Sequence, residues 1–139
     1  MASEVCNSFK TEVLGGTHDL DTDVIKLALY TSAASVSAST TAYSTSNEVS
    51  SSGTGYTAGG NTLAGAVISL DGSTAIVDFT DTSWSSATIT ARYGLIYNYT
   101  KSNKAIAVLD FTTDQTSTNG TFAIVFPTAN SSSAIIRLS

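Results

Sequence analysis

From Thr88 to Tyr99 the chain alternates with a period of two: Ile89, Ala91, Tyr93, Leu95 and Tyr97 share one face, a pattern that a strand satisfies and a helix cannot. The same period recurs from Val24 to Thr31, where Ile25, Leu27 and Leu29 face one way and Val24, Lys26, Ala28 and Tyr30 the other. Leu63 to Leu70 and Thr74 to Thr80 flank Asp71-Gly72, a hairpin signature. Lys101-Ser102-Asn103-Lys104 predicts a turn into a strand from Ala105 to Thr112. Asn119-Gly120 predicts another turn before Thr121 to Phe126, where Phe122, Ile124 and Phe126 alternate. Pro127 stops that segment, and Ala134 to Leu138 reads as a last strand. About seven strands with frequent turns and no interleaved helices predict an all-β fold, an antiparallel sandwich or barrel, of which a jelly-roll-like β-sandwich is the expectation carried forward.

Composition agrees. Ser and Thr fill 44 of 139 positions and Lys, Glu and Gln are scarce, which favours strands and turns over helices. The length predicts one domain, residues 1–139, large enough to bury a core without disulfides. Two segments depart from the β pattern. Residues 1–16 predict a short helix capped by Ser3, with Val5, Cys6, Phe9 and Val13 on one face and Gly15-Gly16 at its end. Two or three turns do not stand alone, so that stripe must dock. Residues 32–61 are mostly Ser, Thr, Ala and Gly, with Tyr43, Val49 and Tyr56 as isolated anchors. They read as a long polar loop or arm: mobile, laid over a partner, hiding a short element, or tied down by its tyrosines.

Charge and cysteine content narrow the function classes. The formal net charge is −5, and the six cations (Lys10, Lys26, Arg92, Lys101, Lys104 and Arg137) form no stripe, so no nucleic-acid partner is expected. No apolar run reaches membrane-spanning length, and no membrane partner is expected. Cys6 is the one cysteine, which removes intramolecular disulfides and cysteine zinc sites. The start Met1-Ala2-Ser3-Glu4-Val5 lacks the basic head and apolar run of a secretory signal, so synthesis in a cytoplasm is expected.

Motifs that invite chemistry break on inspection. His18 is the one histidine and no Gly-x-Ser-x-Gly elbow accompanies it, so no catalytic residue is assigned and no enzyme is expected. Asp19, Asp21 and Asp23 alternate like the start of a calcium loop. Val24 stands where the turn glycine belongs and Tyr30 where the bidentate glutamate belongs, so no metal or cofactor is expected. Gly53-Thr54-Gly55-Tyr56-Thr57-Ala58 matches a dinucleotide fingerprint in spelling only, without the strand–helix setting that gives it function. For binding, the aromatic residues matter more. Trp84 falls in the polar stretch Asp81–Ser86 and, with Tyr43 and Tyr56, is a candidate interface residue; Phe9 and Val13 join them as a helical latch. Tyr93 and Tyr97 sit on the apolar face of a strand and read as core.

Read along its length, the chain resembles a family of small tailed-bacteriophage structural proteins. The resemblance runs through Phe9-Lys10, through His18-Asp19-Leu20-Asp21-Thr22-Asp23 leading into Ile25–Thr31, and through Asn47-Glu48-Val49 and Gly53–Gly60. It continues in Ala91–Asn98, Val108-Leu109-Asp110-Phe111, Asn119-Gly120-Thr121-Phe122 and Phe126-Pro127. It carries no active site. It implies a virion location, and size and acidity add the expectation of a capsid cement, or decoration, protein on the capsid exterior. Such a protein binds the major capsid protein as a homo-oligomer, with a trimer expected because decoration proteins commonly sit on threefold positions. Two alternatives stand beside it: a tail or neck component (ring, adaptor or fibre base), and a carbohydrate-binding host-recognition module working through Trp84 and exposed tyrosines.

Overall fold

A computed structural model describes residues 2–139. Its centre is a long antiparallel ribbon of two strands, β6 (Thr82–Asn98) and β7 (Lys104–Ile124), joined by the Lys101–Asn103 turn that the sequence predicted. β2 (Ile25–Tyr30) pairs with the second half of β6, and the two-residue β3 (Asn61–Thr62) pairs with β2. β1 (Ala2–Val5) adds to the other side of β7, giving a five-stranded sheet in the order β1-β7-β6-β2-β3. A second sheet holds β4 (Val67–Asp71), β5 (Thr74–Asp78) and β8 (Ile136–Leu138) in the order β4-β5-β8. With one short helix among the described residues, α1 (Asn7–Leu14), the architecture is all-β, antiparallel and sandwich-like. Its five-plus-three strand order does not establish the jelly-roll winding.

Three local expectations are corrected. Residues 2–5 are not helical: they form β1, with Ser3 opposite Leu109 and Val5 opposite Ala107. A segment this short gains more by completing a sheet edge than by adding one turn to a marginal helix. The helix starts after Cys6, which sits at the cap position in extended conformation and makes no side-chain capping bond. Asn119-Gly120 does not reverse the chain. It lies within β7 as an irregularity, with Asn119 at φ 46° and Gly120 opposite Ala87, while Ser86 across the ribbon has φ 48°. Positive φ serves a bulge as well as a hairpin turn, and here β6 continues alongside, so the ribbon bends instead of ending. Trp84 lies in β6, not in a turn.

Both faces of the central strands are apolar, and both are covered. Ile25, Leu27 and Leu29 face α1, Leu20 and the small sheet. On the opposite face Ala28 and Leu95 are cross-strand partners, as are Tyr30 and Tyr93. This face is covered by residues 32–61, which lie back on their own sheet. One contiguous core runs from Cys6 to Ile136.

The tail of this cover passes very close to β2. Gly60 has φ +79°, and a Cβ there would overlap the Leu27 carbonyl. Both the steric and the conformational demand select glycine. Gly60→Ala is expected to destabilise the fold by about 3 kcal/mol or more, read as a lowered midpoint of urea unfolding.

Candidate functional site

The arm is fastened by one carboxylate. Glu48 accepts the Tyr43 hydroxyl on Oε1 at 2.8 Å, and on Oε2 it accepts the Tyr56 hydroxyl at 2.6 Å and the Gly59 amide at 2.8 Å. Tyr56 reaches this position across the free edge of β2. Its hydroxyl accepts the Leu29 N–H at 3.0 Å, while the Leu29 carbonyl accepts the Val49 amide. A phenol and a short stretch of backbone therefore take the place of a neighbouring strand. Tyr43 stacks on Tyr97 with centroids 4.6 Å apart, the Tyr97 hydroxyl donates to the Gly59 carbonyl at 2.6 Å, and Tyr30 donates to the Ser44 carbonyl at 2.7 Å. Of the four readings of the arm, these contacts describe a loop tied down by its tyrosines, with the short β3 and two isolated bridges as its only strand-like pieces among the described residues. Burial, with Glu48 beside them, raises the Tyr43 and Tyr56 phenols far above their ordinary value; burial does the same for Tyr30 and pushes Tyr97 up to about 12.

A second polar cluster lies at the other face. The His18 side chain is fully buried, donates from Nε2 to Glu12 at 2.9 Å and accepts at Nδ1 from the Asn98 amide at 3.0 Å. That assignment of the ring proton follows from the two partners: a carboxylate can only accept, and the Asn98 amide nitrogen can only donate. Asn98, also fully buried, donates to Asp23 as well at 2.8 Å. Burial works to raise the Asp23 carboxyl, but the bonds from Asn98 and the Asp19 amide, with Lys101 nearby, hold it below the usual carboxylate range. Lys104 approaches Glu12 at 3.7 Å. The cluster ties α1, the aspartate loop and the β6–β7 turn together. Both ring nitrogens of His18 are engaged, Nε2 by a carboxylate and Nδ1 by an amide. The alternating aspartates serve the loop itself, since Asp19 Oδ1 accepts the Asp21 and Thr22 amides and Asp23 Oδ2 accepts the Asp19 amide. Burial raises the Cys6 thiol to about 11, which suits a small apolar packing group.

Most of the interface residues expected from the sequence belong to the core. Phe9 stacks on His18 and is 1% exposed, Tyr56 is 2% exposed and Trp84 4%. Trp84 packs between Tyr56 and Phe122, and its indole N–H finds no acceptor among the described residues. It faces inward together with Ala87 and Ile89 because the irregularity at Ser85–Ser86 shifts the phase of β6, and the polar residues around it disguise the strand. Tyr43 and Val13 are half-buried; Val13 lines a surface groove. The Gly53–Ala58 stretch is a tight turn seated on β6, where the Thr54 carbonyl accepts the Thr88 amide.

The surface feature the sequence did not reveal is β4. Every one of its residues is exposed, including Val67 (59%), Ile68 (53%) and Leu70 (69%). Ile68 also borders the groove of about 320 Å³ between the small sheet and α1, together with Phe9, Val13, Leu20 and Leu138. Leu14, at the end of α1, is 88% exposed. This apolar corner is the candidate interaction surface. In the sequence, Val67-Ile68-Ser69-Leu70 beside a hairpin turn reads as a buried strand, so no local signal marks it as exposed. Comparison with family models, with curated proteins and with solved structures finds no match to this chain.

Two consequences follow from the Glu48 fastening. Glu48→Ala removes the acceptor of three donors and is expected to cost about 2–4 kcal/mol, with amide exchange accelerated across residues 43–60 more than in β2. Raised phenols also bind protons more tightly in the folded than in the unfolded chain. Their contribution to stability is complete below the unfolded value of about 10 and is lost as pH rises above it. Thermal melts should show a stability loss beginning near pH 10, with the phenolate absorbance of Tyr30, Tyr43, Tyr56 and Tyr97 appearing together with unfolding and not before it.

Proposed function

We propose that this chain is a structural protein of a tailed-bacteriophage virion, a cement or decoration protein that binds the major capsid protein on the capsid exterior and self-associates. The observation that carries the reading is the contrast between a sealed sandwich and the bare apolar corner at β4. The interior chemistry is spent on internal fastening, as in the Glu48 and His18 clusters. Three exposed apolar residues, Val67, Ile68 and Leu70, gather on β4, where a neighbouring subunit could cover them. Binding an assembled lattice in preference to loose subunits stabilises the lattice by mass action.

A ring component of the neck or tail is the second reading, favoured by one observation. Beyond Asp110, the side of β7 facing away from β6 also has no strand partner, so the chain carries two different open edges, as head-to-tail rings need. The carbohydrate reading loses its anchor with Trp84 buried.

Purified particles of the phage that encodes this chain test the proposal by quantitative mass spectrometry. Hundreds of copies in simple ratio to the major capsid protein are expected. A handful per particle assigns it to the neck or tail, and absence from particles overturns the virion reading.

A further inference from the structure

We infer that β4 is a self-pairing edge, and that two copies of this chain join through antiparallel β4–β4 contact about a twofold axis at Ser69. The inference stands apart from the virion reading and does not depend on it.

The register of the β4–β5 hairpin fixes which backbone groups are free. Asp71 and Thr74 close a two-residue loop, Gly72-Ser73, so they are a hydrogen-bonded pair, and so, by alternation, are Ser69 with Ile76 and Val67 with Asp78. The N–H and C=O groups of Ile68 and Leu70 then point away from β5. β4 is the outermost strand of its sheet, so nothing in the sheet meets them. A twofold axis at Ser69 sets Ile68 opposite Leu70 of the second copy and Leu70 opposite its Ile68. Both are hydrogen-bonded pairs, so four backbone bonds form at once, and the Ser69 pair lies between them at the closer, non-hydrogen-bonded spacing.

The side chains fit the same register. Ile68 and Leu70 lie on one face, so the pairing places apolar against apolar in both directions, and it extends the groove lined by Val13 and Leu138 into a continuous strip across six strands. The strand has one charge, Asp71. The register sets it opposite Val67 of the second copy and far from that copy's Asp71, and its carboxylate already accepts the Ser131 amide at 2.6 Å. Soluble proteins protect exposed edges with lysine, proline, a bulge or a covering loop. None of these occurs in β4, whose five residues pair in unbroken register with β5.

Cysteine cross-linking tests the register. With Ser69→Cys, the two thiols would meet on the axis at a Cα separation suited to a disulfide, about 4.5 Å. Cys6 is fully buried and stays out of the reaction. Mild oxidation is expected to convert Ser69→Cys to a dimer and to leave Val67→Cys, four residues out of register with its own counterpart, monomeric. Sedimentation of the otherwise unchanged chain is expected to show a reversible dimer. Ser69→Lys, which sets two ammonium groups face to face on an exposed site, should weaken that dimer about tenfold or more. Hydrogen exchange should slow with concentration at the Ile68 and Leu70 amides, and not at Ser69. Equal cross-linking by Ser69→Cys and Val67→Cys, or a dimer indifferent to Ser69→Lys, would overturn the twofold pairing. A chain that stays monomeric at its highest soluble concentration would also overturn it and leave the edge to a different protein.

Discussion

The central sheet is apolar on both faces, and the rest of the molecule is arranged around that constraint. A two-stranded ribbon as long as β6–β7 cannot leave Leu95, Ile96, Tyr97 and their partners in β2 in contact with water on either side. One face recruits α1, the aspartate loop and the small sheet. The other has no further strand or helix available, so thirty residues of mostly Ser, Thr, Ala and Gly are folded over it. Such a segment buries too little apolar surface to order itself by packing. It is held by specific bonds, and Glu48 is where three of them converge.

That solution explains why so polar an arm depends on tyrosines. A phenol offers a large apolar ring to the sheet and a hydroxyl to a distant acceptor, and Tyr30, Tyr43, Tyr56 and Tyr97 all use both ends. Tyr56 does most, because it packs beside Trp84, closes the hydrogen bond of Leu29 at the β2 edge and delivers its own proton to Glu48. The His18 cluster plays the matching part on the other face. There the buried His18 and Asn98, with the part-exposed Asp23, join α1, the aspartate loop and the end of β6.

Much of the fold was legible because period-two alternation is local. Ile25–Tyr30, the Asp71–Thr74 hairpin, the Lys101–Lys104 turn and the proximal half of β6 follow directly from it. The misses share a cause: their outcome is set by a distant partner. Asn119-Gly120 supports a turn or a bulge, and only the presence of β6 across the ribbon decides. Residues 2–5 could extend a helix or an edge, and only the vacancy beside Ala107–Asp110 of β7 decides. Trp84 lies among serines and a threonine, and its burial depends on Tyr56, a residue 28 positions earlier in the sequence. The Glu48 cluster was hidden for the same reason, since its donors are separated by turns whose closure cannot be read locally.

The two treatments of sheet edge in this chain sharpen the functional reading. At β2 the outer edge is closed almost residue by residue, by β3, by the Tyr56 hydroxyl and by the Glu48–Val49 backbone. At β4 a shorter strand with greater apolar exposure has no lysine, proline or covering strand, and its one charge, Asp71, sits at the turn end and is held by the Ser131 amide. An exposed edge is a liability in a monomer, because its free amides and carbonyls template association with any extended chain. The physical means of closing an edge are plainly within this sequence's repertoire, and Ser69 alone could have carried a lysine at no cost to the core. A bare β4 in a protein that elsewhere commits thirty residues to covering a sheet is therefore best explained as a surface completed by another subunit.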